Sequence, residues 1–66
     1  MSEEVFKQNR KVLLRIFKER LPVFTENQLF TFIAEIRRMK MLYRKVYTYD
    51  QLEDIFLFKL IPKLGE

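Results

Sequence analysis

The stretch FTENQL at residues 24–29 returns in altered form twenty-three residues later, as YTYDQL at residues 47–52. Each stretch has an aromatic residue, then Thr, two further residues, Gln and Leu. Thr at a helix N-cap with Gln three residues on forms a capping box, in which each side chain bonds to the backbone N–H of the other residue. The aromatic residue and Leu are spaced for the hydrophobic staple that accompanies such a cap. The two stretches therefore predict helix starts at Thr25 and Thr48.

A first helix is predicted over residues 3–20. Ser2 is a suitable N-cap, and Glu3 and Glu4 place carboxylates in the first turn, where they complement the helix dipole. Pro22 disfavours helical geometry at the residue before it, so we expect the helix to end near Arg20. Apolar residues recur at helical spacing along one face, namely Val5, Phe6, Val12, Leu13, Ile16, Phe17 and Leu21.

The second helix is predicted to run from Glu26 to about Arg44, and the third from Tyr49 to about Ile61. Residues 41–47 also alternate between two faces in the manner of a strand, so a short strand there stays open as an alternative. Pro62 is expected to terminate the third helix, because proline in a helix interior loses a hydrogen bond and clashes with the preceding turn.

These elements predict an all-α protein, a compact three-helix bundle with helices at about 3–20, 26–44 and 49–61 in a single domain spanning 1–66. A chain of 66 residues is near the lower limit at which a hydrophobic core holds a fold unaided. It contains no Cys, so disulfides are excluded and stability must come from packing. Apolar residues make up 48% of the chain and include seven Phe, which supply that core. One Gly and two Pro are too few for a fold of strands and turns.

The composition offers little for catalysis. Without Cys or His, the chain lacks the ordinary nucleophile–base pairs, the usual proton carrier at neutral pH and the common zinc ligands. The one local group of carboxylates, Asp50, Glu53 and Asp54, opens a predicted helix, where acids are expected for the helix dipole alone. The only Gly is the penultimate residue, so no glycine-rich phosphate loop is present. We therefore expect no enzyme, no cofactor, no metal and no small-molecule substrate.

The third helix carries the first candidate binding surface. Its apolar residues project around nearly the whole circumference, which is more than a three-helix bundle buries. This excess predicts an interface for a protein partner or a homodimer, as in a small regulatory subunit, an adaptor or an inhibitor. Two alternatives stay open: the third helix is central and covered by the other two, or its surface faces the missing part of a longer protein. The predicted interface consists of Phe56, Leu57, Phe58, Leu60 and Ile61.

A basic stretch at the end of the second helix carries the alternative function, a DNA or RNA interface. Lys and Arg supply phosphate contacts, and Tyr rings stack on bases. The same cations are also expected at a helix C-terminus, where they offset the dipole and keep a small protein soluble. A helix-turn-helix is disfavoured, because the third helix is apolar and acidic where a recognition helix is polar. The predicted nucleic-acid-binding residues are Arg37, Arg38, Lys40, Tyr43, Arg44 and Lys45.

The net charge of +4 is unevenly distributed, since residues 1–47 are basic and residues 48–66 are acidic. The chain has no run of about eighteen apolar residues, so we expect no membrane span. Its acidic start at Ser2, Glu3 and Glu4 is the reverse of the basic start of a signal peptide. Together with the absence of Cys, this start favours a cytoplasmic, intracellular location.

Overall fold

The structure, a computed structural model, describes residues 2–65. Helix α1 spans Glu3–Arg20 and helix α2 spans Glu26–Arg38. A short 3-10 turn follows at Lys40–Tyr43, and no strand forms in the described part of the chain. Together with a third helix that begins at Tyr49, these elements confirm the predicted all-α three-helix bundle.

The predicted helix caps are present. The Ser2 hydroxyl accepts a hydrogen bond of 3.3 Å from the backbone N–H three residues on. Thr25 Oγ1 accepts from Gln28 N at 3.1 Å, while Gln28 Oε1 accepts from Thr25 N at 2.9 Å. Thr48 and Gln51 make the same pair of bonds at 3.2 Å and 3.0 Å. Both capping boxes and both helix starts are therefore confirmed.

The third helix continues past Pro62, contrary to the prediction. It consists of α3 at Tyr49–Ile55, a π-helical segment at Phe56–Leu60 and α4 at Ile61–Leu64. In the π-helical segment the N–H of Ile61 donates to the carbonyl of Phe56, five residues back. This wider turn lies directly before Pro62 and places it in the first turn of α4, where a missing N–H costs little.

The π-helical segment also changes which side chains of the third helix face the core. At about 100° per residue, a regular α-helix would turn Leu60 by roughly 80° and Leu64 by roughly 120° away from Leu52. The wider turn takes up one extra residue, so that the second half of the helix is rotated back. All three leucines are buried as a result, together with Phe56 between them.

Phe17 lies at the centre of the core and touches an aromatic ring on each side. Its ring centre is 4.8 Å from that of Phe24, 4.7 Å from that of Phe32 and 6.3 Å from that of Phe56. These contacts join α1 to α2 and to the third helix. The buried apolar residues are Phe6, Leu13, Ile16, Phe17, Phe32, Ile36, Leu42, Leu52, Ile55, Phe56, Leu60 and Leu64.

Helix α2 ends at Arg38, earlier than predicted. Met39 takes an extended backbone conformation with φ −80° and ψ 93°, and the 3-10 turn begins after it. The break lets the chain return across α1, so that Leu42 is fully buried in the core and Tyr43 packs on Phe6. Tertiary contacts have therefore replaced the last turn of the predicted helix.

Candidate nucleic-acid interface

A pair of stacked rings joins the start of α1 to the 3-10 turn. The rings of Phe6 and Tyr43 are nearly parallel, with centres 4.4 Å apart and an angle of 11° between their planes. The backbone supports the same contact, because the N–H of Ser2 donates to the carbonyl of Tyr43 at 3.0 Å. Phe6 is completely buried, whereas Tyr43 stays partly exposed.

Two guanidinium groups from different helices meet at the Phe6 ring. The Cζ atom of Arg37, on α2, is 5.3 Å from the ring centre, and that of Arg10, on α1, is 5.8 Å away. Both distances are within the range of a cation–π interaction, which orders the side chain and leaves its charge unneutralised. Arg10 was absent from the predicted set, although its spacing of four residues from Phe6 places the two side chains on one helix face.

Asn9 is the other residue that sequence reasoning missed. Its side chain is fully buried, yet every polar atom has a partner. The amide nitrogen donates to the carbonyls of Leu42 and Lys45, both at 2.9 Å, and the amide oxygen accepts from Tyr47 N at 3.0 Å. The sequence did contain a signal. Asn9 is three residues after Phe6 and four before Leu13, which places a polar residue on the apolar face of the predicted helix.

Three further bases of the predicted set are on the same segment of chain as Tyr43. Arg44 and Lys45 directly follow Tyr43 and are exposed, as is Lys40 at the start of the 3-10 turn. The Lys45 ammonium is 5.0 Å from the centre of the Tyr47 ring. We call the resulting set the basic surface, and it consists of Arg10, Arg37, Lys40, Arg44 and Lys45.

Arg38, the remaining base of the predicted set, does not join Arg10 and Arg37 at the Phe6 ring. It is one residue beyond Arg37, so its side chain leaves α2 in a direction about 100° away. Its guanidinium is instead 3.7 Å from the carboxylate of Glu35, one turn back on the same helix. In residues 2–65, ion pairs form here and between Arg20 and Glu53, and none of them includes a base of the basic surface.

The start of the third helix contacts the C-terminal end of α1, roughly 14 Å along that helix from Arg10. Arg20 donates to Glu53 at 2.8 Å, and the Tyr49 hydroxyl donates to Glu19 at 3.1 Å. The hydrogen bond to Glu19 raises the pKa of Tyr49, with smaller contributions from burial and from the charge of Glu19. The ion pair with Arg20 also engages Glu53, one of the three carboxylates considered in the sequence. In residues 2–65, no three side chains form a cluster that could hold a metal ion.

We expect this contact to weaken in alkali. Because the native pKa of Tyr49 is raised, the contact is fully present below the unfolded value of about 10 and is lost as the pH rises through the native pKa. The ultraviolet absorbance of phenolate measures the titration, with Tyr49→Phe identifying the signal. Glu19→Ala should return the pKa toward its ordinary value, and an unchanged titration in that variant would contradict the assignment.

The predicted protein interface is divided between core and surface. Phe56 and Leu60 are fully buried and are unavailable to a partner in this conformation. Leu57 and Ile61 are partly buried against the core, and Phe58 is 76% exposed. The apolar surface of the third helix is therefore smaller than the sequence predicts and is centred on Phe58.

One open groove of about 370 Å³ lies between the start of α2 and the end of the third helix. Its lining is mostly polar, and the side chains of Thr25 and Gln28 there are already bonded to each other's backbone. The groove therefore offers few unused groups to a ligand. The lining residues are Thr25, Asn27, Gln28, Thr31, Lys63, Leu64 and Gly65.

Within residues 2–65, no helix has the length and apolar character needed to cross a membrane. Comparison of the chain with protein-family models, with curated proteins and with solved structures found no match. No relative therefore indicates a function, which must be inferred from the geometry of the basic surface.

Proposed function

We propose that the chain is a non-enzymatic binding module that holds the phosphate backbone of a nucleic acid on its basic surface. The observation that carries this proposal is that Arg10 of α1 and Arg37 of α2 meet at the Phe6 ring. The segment of residues 40–45, which stacks Tyr43 on the same ring, carries three more exposed bases. None of the five bases has a carboxylate within ion-pair distance in the part of the chain described. The helix dipole of α2 explains the position of Arg37 at the end of that helix. It does not explain why Arg10, from another helix, lies at the same ring.

The tyrosines favour phosphate contacts over base stacking. Single-strand-binding proteins stack bases on exposed aromatic faces. Here one face of Tyr43 is occupied by Phe6, and Tyr47 is partly buried with Lys45 over its ring. Tyr49 is bonded to Glu19, beside the Arg20–Glu53 ion pair. We therefore expect binding without strong sequence preference, to a duplex at least as tightly as to a single strand.

The test is a salt titration of binding to a short DNA duplex of mixed sequence. Contact with about five phosphates predicts that the affinity falls several hundred-fold between roughly 50 and 200 mM salt. Arg37→Ala and Arg44→Ala should each make the slope of log affinity against log salt shallower by about one unit.

Lys63→Ala is the matched control, because Lys63 is an exposed base beside the start of α2, whereas Arg37 is in the last turn of that helix. Lys63→Ala removes one positive charge, as Arg44→Ala does. It should leave the slope of log affinity against log salt close to that of the unmodified chain. Absence of measurable duplex binding at the lowest salt would refute the proposed function. Equal effects of Arg44→Ala and Lys63→Ala would refute the assignment to the basic surface.

A protein partner or a second copy of the chain is the other candidate, favoured by the exposure of Phe58. Leu57 and Ile61 flank it, and Pro62 is exposed one turn further on. Such a role would suit a small regulatory subunit, adaptor or inhibitor. Sedimentation of the free chain over a range of concentrations tests the homodimer. A dimer that Phe58→Asp dissociates would support it, and a monomer at every concentration would exclude it.

A further inference from the structure

We infer that Asn9 is the residue that positions Arg44 and Lys45 on the basic surface, a role that rests on the proposed function. Both bases lie outside any helix, between the 3-10 turn and the start of α3. The N–H of Arg44 donates to the carbonyl of Met41 at 3.1 Å and closes the 3-10 turn. Among the described residues, no further backbone hydrogen bond holds Lys45 or Val46, so the conformation after Arg44 must be set by contacts with other parts of the chain.

Asn9 supplies those contacts on both sides of the two bases. Its amide nitrogen holds the carbonyls of Leu42 and Lys45, and its amide oxygen holds the N–H of Tyr47. Arg44 and Lys45 thus lie between two points that are bonded to one side chain. The bonds span 33 to 38 residues of sequence, so the anchor comes from α1 and not from the segment itself.

The location of Asn9 also sets where the segment is held. Its neighbour in the sequence, Arg10, is one of the two bases at the Phe6 ring, and the other is Arg37. One buried side chain therefore links the backbone of Arg44 and Lys45 to the same turn of α1 that carries Arg10. Bases held in place before binding lose less conformational entropy when they contact phosphate, so this link should strengthen binding although Asn9 carries no charge.

The experiment compares the unmodified chain, Asn9→Ala, the double variant Arg44→Ala/Lys45→Ala and the triple variant in the duplex salt titration. The double variant should make the slope shallower by about two units. Asn9→Ala should approach the same slope while keeping every base, and adding it to the double variant should change the slope no further. A residue that only stabilises the fold would not produce this pattern in variants that remain folded.

Folding is checked for each variant by far-ultraviolet circular dichroism at low temperature. Should Asn9→Ala fail to fold, backbone ¹⁵N relaxation of the unmodified chain decides the matter. The amides of Arg44 and Lys45 should then be as rigid as those of α1 in the free protein. Clearly greater mobility of these two amides than of the amides of α1 would overturn the inference, as would a folded Asn9→Ala that keeps the original slope.

These outcomes separate the inference from the proposed function. Failure of the unmodified chain to bind the duplex removes the function. The other case is that the unmodified chain binds normally while adding Arg44→Ala/Lys45→Ala to Asn9→Ala still makes the slope shallower by about two units. That result refutes only the role of Asn9.

Discussion

Replacing Phe17 with Ala is expected to lower the free energy of unfolding by about 3–5 kcal/mol, the usual cost of removing a buried Phe ring. Phe17 is fully buried and lies against the rings of Phe24, Phe32 and Phe56, so no single neighbour can fill the space it leaves. A domain of 66 residues has a total stability of only about 3–10 kcal/mol. Phe17→Ala should therefore lose about a third or more of its stability, with a midpoint of thermal unfolding at least about 12 °C lower.

Phe58→Ala is the matched control, because it removes the same atoms from a side chain that is 76% exposed. Its effect on stability should stay within about 0.5 kcal/mol. Thermal and urea unfolding followed by circular dichroism measure both variants. Similar losses in the two would show that Phe17 is not the centre of the core.

Replacing Asn9 with Leu should be nearly as damaging, with a loss of about 3 kcal/mol in the free energy of unfolding, or about 1 kcal/mol for each hydrogen bond of Asn9. Leu has a similar size but offers no partner to Leu42 O, Lys45 O and Tyr47 N, each of which would lose a hydrogen bond in a buried or partly buried place. Asn9→Ala should be milder, since the smaller side chain leaves room for water at these groups.

Gln8→Leu provides the comparison for Asn9→Leu, since Gln8 is the exposed residue directly before it on α1. The same unfolding measurements apply. Little loss in Gln8→Leu beside a large loss in Asn9→Leu is the expected result. An Asn9→Leu variant as stable as the unmodified chain would mean that the three hydrogen bonds contribute little.

Features of the fold that depend on neighbouring residues could be predicted from the sequence. The starts of α2 and α3 depend on Thr and Gln three residues apart, and both capping boxes form as expected. The end of α1 at Arg20, before Pro22, is equally local. In each case the groups that decide the structure lie within one turn of each other.

Features that depend on distant residues were missed. Helix α2 ends where the chain turns to bury Leu42. The carbonyl of Leu42 is bonded to Asn9, which is 33 residues earlier in the sequence. The continuation of the third helix past Pro62 depends on a change of helical register that brings Leu60 and Leu64 into the core. A fixed helical period predicts neither result.

The candidate site was predicted in part for the same reason. The basic stretch is visible in the sequence, and Arg37 does lie at the Phe6 ring, with Lys40, Arg44 and Lys45 on the segment that carries Tyr43. The exchange of Arg38 for Arg10 requires knowledge of which sides of α1 and α2 face each other. Whether this surface binds nucleic acid stays a proposal, to be decided by the salt titration.

The π-helical segment has a consequence for how related chains should be compared with this one. A homologue with one residue fewer between Phe56 and Leu60, and without a proline at the position of Pro62, could bury the same leucines through an ordinary α-helix. An insertion or deletion is then expected inside a helix, where alignments usually place none. Comparisons that penalise gaps in helices would misalign the last turn by one residue and would pair exposed positions with buried ones.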